Sequence, residues 1–165
     1  MLQQLAAYNI WANQRLLDVI LKLPEETWQR TLAASFPSFH QALLHMWDAE
    51  SIWWQRMKLQ EVVVAPSVHF NGIVRDIGAA LLHQNNLWKA WIENATPAAL
   101  DHVFAYQNSR REQFKQPIYQ MLIHLFNHGT YHRGQLIVML HQAGVQHRPQ
   151  TDFIVWSRLK GKQKG

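Results

Sequence analysis

At 165 residues, 48% hydrophobic and only 16% charged, the chain is the size of one domain that buries a core unaided, and with no cysteine it has neither disulfides nor thiolate ligands or nucleophiles. The same absence fits a reducing cytoplasm. The net charge of +5 and pI near 9.7 raise nucleic acid as a partner, but the basic residues are scattered, save for Arg158, Lys160, Lys162 and Lys164 in a Gly-containing tail, which argues against a phosphate-binding patch.

Four long segments carry helical periodicity. The first runs from about Leu2 to Leu23, with Leu2, Leu5, Ala12, Leu16, Val19 and Leu23 on one stripe, and Pro24 ends it. Asn9 falls on that stripe and Asn13 lies one turn on; either they hydrogen-bond across a bundle or they sit at its edge. The second follows Pro37, with Ser38 as N-cap, and runs to about Leu59, turning Ala42, Met46, Ala49, Trp53 and Met57 inward. Val62-Val63-Val64-Ala65-Pro66 reads as an extended connection rather than a paired strand. The third spans about Phe70 to Asn94, with Ile73, Ile77, Leu81, Trp88 and Ile92 in register. A polar, irregular connection from Thr96-Pro97 to Gln116 follows, in which Val103–Tyr106 can form a short extended piece. The fourth opens at Pro117 and runs to about Ala143, with Gly144 as its stop.

This pattern predicts an all-α protein, a four-helix bundle of antiparallel type in a single domain, with a short irregular C-terminal extension. Met1–Leu5 has no basic or apolar leader character, and no apolar run approaches the ~18 residues of a membrane span. Eight tryptophans exceed what a small core demands, and amphipathic aromatics favour interfaces, so a homo-oligomer is expected.

The segment Asn127-His128-Gly129-Thr130-Tyr131-His132-Arg133-Gly134-Gln135 places two histidines four residues apart, on one helical face, where both imidazoles can reach one metal ion. Ten histidines make an isolated pair weak evidence, and His124/His128 forms another. At about 100° per residue, however, His128 and His132 fall on the arc of Leu125, Leu136 and Met139, while His124 lies toward the polar side. Core-facing neutral imidazoles need partners: a metal supplies one, and hydrogen bonds within the core are the other reading. His45, beside Ala42, Ala49 and Ile52 on its own helix, is the candidate third ligand or else a structural histidine.

The chain resembles the DinB/YfiT-like superfamily of metal-dependent enzymes over nearly its whole length. Four segments carry the likeness: Tyr8–Leu17, Leu43–Glu50, Asn127–Gln135 and Pro149-Gln150-Thr151-Asp152-Phe153. The resemblance implies a four-helix bundle, often a homodimer, holding a divalent metal on His45, His128 and His132. It also implies thiol-dependent transferase or isomerase chemistry with a low-molecular-weight thiol as cosubstrate, and the expectation is a metal-dependent transferase or hydrolase acting on a small-molecule substrate. The Phe-Pro-Ser-Phe stretch before the second helix departs from the family pattern, so the substrate does not carry over.

Three imidazoles with open positions are the catalytic style of metal site, and all-histidine ligation suits Zn, Ni or Fe alike. Asp48, one turn after His45, is either an orienting group or base, or a solvated helix charge. Tyr131 is a candidate hydrogen-bond donor in the pocket, and Arg133 and Gln135 are candidates for supporting or packing roles. A metal- or ligand-binding homodimer without catalysis is the alternative function.

Overall fold

Apolar residues recurring every three to four positions give helices one face to bury, and here four such faces close on one another. The computed structural model describes residues 1–108 and 110–162. The four long helices are α1 (Leu2–Ile20), α3 (Phe39–Met57), α4 (Val74–Asn94) and α6 (Ile118–Gln142), with two five-residue helices, α2 (Glu25–Gln29) and α5 (Pro97–Asp101). α1 and α3 each pack against both α4 and α6, so consecutive long helices α1 and α3 face each other diagonally.

The run directions follow from the contacts. Asn13 bonds Asn85 while Leu17 meets Gly78, so α1 and α4 are antiparallel. His45 meets His132 while Trp53 meets His124, so α3 and α6 are antiparallel too. Glu50–Asn85 and Trp54–Trp88 make α3 and α4 parallel neighbours. A parallel successor obliges the chain to travel back along the bundle, and residues 58–73 do so. That is the physical reason for the extended Val62–Val64 run. Among the described residues it pairs with no strand; the Gln55 side chain takes up both the N–H and the C=O of Val64.

Two helix ends are built as the sequence predicts, while α1 stops at Ile20 rather than Leu23 and α4 starts at Val74 rather than Phe70. The Ser38 hydroxyl accepts from Gln41 N–H, and Gly144 takes φ +87° just after α6, the left-handed turn that favours glycine. Ile73, expected on the inward stripe, is instead the exposed residue before α4, where Asp76 caps its backbone N–H.

Two regions carry more order than the sequence suggests. Within the connection expected to be irregular, β1 (Val103–Gln107) and β2 (Gln113–Pro117) form an antiparallel hairpin, Val103 opposite Pro117 and Gln107 opposite Gln113. The C-terminal extension is not irregular throughout: it forms helix α7 (Phe153–Lys162). Trp156 and Phe153 pack on the Tyr8 ring, and the Tyr8 hydroxyl donates to the Thr151 carbonyl. Of the basic tail, Arg158 is exposed, whereas the side chains of Lys160 and Lys162, and all of Lys164, lie outside the described residues. Among the described residues no helix is long and apolar enough to cross a membrane.

Two glycines of the Asn127–Gln135 segment have opposite meanings. A Cβ on Gly129 would stand 3.1 Å from Asn9 Oδ1 and 3.2 Å from Arg133, whereas Gly134 meets nothing within 4 Å. Gly134→Ala should therefore stabilise by about 0.5–1 kcal/mol through helix propensity alone, and Gly129→Ala should destabilise. Urea unfolding of the two variants beside the wild type reads both signs.

Candidate metal centre

His128 and His132 project from the same side of α6, and antiparallel α3 brings His45 to meet them. His45 Nε2 lies 3.1 Å from His132 Nε2, and His128 Nε2 lies 2.9 Å from it. The three ligand nitrogens all fall within 4.8 Å of one another. His132 is 5% exposed, and the other two are half-buried at the mouth. Phe36, in the connection before α3, covers the cluster, its ring 5.1 Å from His45 and 5.4 Å from His132.

Hydrogen bonding alone satisfies this arrangement poorly. His132 Nδ1 donates to Gln135 Oε1 at 2.7 Å, because an amide oxygen only accepts. That leaves His132 Nε2 with one in-plane lone pair facing two other Nε2 atoms. A metal ion with N ligands at about 2.0–2.1 Å would hold tetrahedral donors about 3.3 Å apart, close to the separations found. The donor set therefore fits one divalent metal, and the bond to Gln135 orients the His132 imidazole with Nε2 toward the other two histidines.

The electrostatics favour neutral ligands. Burial pushes His128 down to about 4, with His132, His45 and His124 adding to the shift. Burial also lowers His45, opposed by the Asp48 carboxylate, and lowers His132, opposed by its bond to Gln135. For His128 the sign is definite: between about pH 4 and 6.5 the unfolded chain binds the extra proton, so stability rises with pH and is lost on acidification. In chelated protein the stability difference between wild type and His128→Asn should shift against the wild type as pH falls from about 7 to about 5, read by urea unfolding.

Asp48 and Tyr131 sit differently. Asp48 Oδ1 accepts from Ser67 N–H at 2.9 Å, tying α3 to the turn at Pro66–Val68. It is neither a fully solvated charge nor a hydrogen-bonding partner of His45, on which it acts through space. Tyr131 is 65% exposed and stands edge-on to His132, ring centroids 5.1 Å apart, at the rim of the cluster. His124 packs on His128 at 5.8 Å and on Trp53 at 5.5 Å, and stays outside the ligand group.

Behind the histidines lies a buried polar circuit drawn from all four long helices. Arg133 Nη1 donates to Asn9 Oδ1 and Asn13 Oδ1. Asn9 Nδ2 donates to Glu50 Oε1 at 3.0 Å; Asn13 Nδ2 donates to Asn85 Oδ1 at 2.8 Å, and Asn85 in turn donates to Glu50 Oε2. Every amide thus points from guanidinium to carboxylate. Arg133 Nη2 also donates to Thr130 Oγ1 at 2.8 Å, and the guanidinium lies over the Tyr8 ring. Burial pushes Glu50 up to about 7, resisted by the Asn9 and Asn85 donors and by Arg133. Each carboxylate oxygen accepts one amide N–H, so the donors favour the ionised form while burial, the larger effect, favours the protonated one. Asn9 and Asn13 therefore hydrogen-bond across the bundle rather than at its edge. Glu50 and Asn85 were not singled out by the sequence, although they interrupt apolar stripes that run on to Met57 and Ile92, and Phe36 lies in the Phe-Pro-Ser-Phe stretch noted only as a departure from the family pattern.

Residues 1–163 match the family model described as the DinB family. The chain is 28% identical to Protein DinB of Bacillus subtilis (strain 168), over 91% of this chain and 90% of that one. Its fold is similar to the crystal structure of a DinB-like protein from Bacillus cereus ATCC 10987, with a TM-score of 0.67 and 21% identity, covering 87% of this chain and 91% of that one.

Proposed function

The chain belongs to the DinB family, and from that premise we propose that it is a divalent-metal-dependent transferase or hydrolase acting on a small molecule, with His45, His128 and His132 as ligands. The observation that carries the reading is the convergence of two Nε2 atoms on the one lone pair of His132 Nε2, which a metal satisfies and hydrogen bonds do not. When bound, Zn, Ni or Fe would supply a Lewis acid able to activate a bound water or thiol.

The chain's own side chains do the rest. Gln135 fixes the His132 tautomer, Phe36 keeps bulk water from one side of the cluster, and Tyr131 at the rim can donate a hydrogen bond to a substrate. With no cysteine in the chain, a thiol nucleophile must arrive as a low-molecular-weight cosubstrate. Gln135→Ala should weaken metal binding about 10–100-fold while leaving the fold intact, measured by competition with a chromogenic chelator.

The test of the function is turnover of a panel of thiol-plus-electrophile pairs and activated esters by metal-loaded wild type beside His45→Ala. Activity confined to the wild type supports an enzyme. A second reading, a metal-binding protein without catalysis, is favoured by the commitment of Asp48 to Ser67 N–H, which engages the carboxylate nearest His45 in sequence. Metal uptake with no turnover on any pair would establish that reading instead.

A further inference from the structure

Along α3 from the histidines lies a second unmatched group. Arg56 follows His45 by eleven residues, which at 3.6 residues per turn returns it to the same side of the helix about 16 Å further on. Its guanidinium lies over the Trp53 ring at 4.8 Å and the Tyr106 ring at 5.5 Å, so α3 and β1 hold it in place. Its Nε is shut away from solvent with no hydrogen-bond partner. No carboxylate neutralises it: among the described residues the one ion pair is Lys89–Glu93. Burial lowers its pKa, opposed by Tyr106. Aromatic faces offset part of the charge, but they leave the in-plane N–H fork unused, and a partly desolvated cation without acceptors is costly.

Arg56 lines an open groove of about 760 Å³ between the end of α3, the returning connection and the hairpin, a volume within the range of small-molecule sites. Ile52, Val63, Ala65 and Ala105 make much of its wall apolar, and none of the three clustered histidines lines it. Glu61 also borders it, exposed and not paired with Arg56. Trp53 joins the two regions, packing on His124, which packs on His128.

We propose that this groove binds an anionic small molecule, its carboxylate or phosphate gripped by the Arg56 fork and its apolar body laid along Ile52, Val63 and Ala105. A planar guanidinium resting against the packed Trp53 and Tyr106 rings carries paired terminal donors that match either anion. As the substrate-binding arm of the metal reaction, the groove rests on the function proposed above; as an anion site it stands without it.

The experiment is calorimetric titration of the full chain, metal-loaded and chelated, with 4-phenylbutyrate, phenyl phosphate and the neutral 4-phenylbutanamide. At least one anion should bind about tenfold or more tighter than the amide, and the preferred one identifies the ligand's acid group. Arg56→Met should lose about tenfold for the anion alone, with Arg56→Lys between, because a point charge lacks the fork. Chelation should leave these affinities unchanged, so failure of the metal site is read separately by elemental analysis. Amide binding equal to that of both anions, or Arg56→Met binding as wild type, overturns the proposal. If circular dichroism shows Arg56→Met unfolded, the acid–amide comparison in the wild type decides alone.

Discussion

His45→Ala should abolish metal binding: wild type reconstituted with Zn, Ni or Fe is expected to hold about one ion per chain by elemental analysis, and the variant essentially none. His128 and His132 share one helix face, and only His45 adds a ligand from a second helix, so its loss leaves a two-ligand site open to solvent. Metal at about 1,000 times its Kd should stabilise the wild type by about 4 kcal/mol and leave the variant's melting point unmoved. Without metal the order should reverse or vanish, since removing one imidazole relieves the unmatched nitrogens around His132 Nε2. A wild type that takes up no metal after reconstitution would return the three histidines to the role of ordinary core and edge residues.

Arg133→Met should destabilise the protein by about 3–5 kcal/mol, the scale for stripping one partner from a buried charge pair. The change leaves Asn9 Oδ1 and Asn13 Oδ1 without their donor and strands the Glu50 carboxylate, which is 4% exposed. Glu50→Gln in the Arg133→Met background should recover part of the loss, because no buried charge then remains. Additive losses in the double variant, measured by urea unfolding, would refute the linked circuit.

Glu50 also sets a pH dependence opposite to that of the histidines. Its folded-state pKa, about 7, lies above the ordinary 4.5, so between these values the folded state binds the extra proton. Its contribution to stability is therefore greatest at low pH and falls as pH rises to about 7. The stability of wild type minus that of Glu50→Gln should decline across that window and flatten above it.

The facing of the histidines in the Asn127–Gln135 segment was legible in the sequence. The four-residue spacing put His128 and His132 on one face, and apolar periodicity put that face toward the core. The family likeness then pointed to His45, which periodicity alone left open. Arg133 was legible only as a supporting residue, since nothing in one helix says what lies opposite. Its partners Asn9, Asn13, Glu50 and Asn85 come from positions up to 124 residues away. The signal for Glu50 and Asn85 existed: both are polar residues in apolar register, between Met46 and Met57 and between Leu81 and Trp88.

Helix existence, the Ser38 cap, the Gly144 stop and the shared face of His128 and His132 were determined by the sequence itself. Each depends on interactions within about one or two helical turns, where spacing in the chain is spacing in space. The diagonal placement of α1 and α3, the hairpin in place of an irregular loop, and the ordering of the C-terminal extension as α7 were decided by tertiary structure. So were the meeting of His45 with His132, the Arg133–Glu50 circuit and the unpaired Arg56 beside its groove. All of these are set by which faces pack together and in which direction, because a helix specifies where its side chains point but not which neighbour receives them.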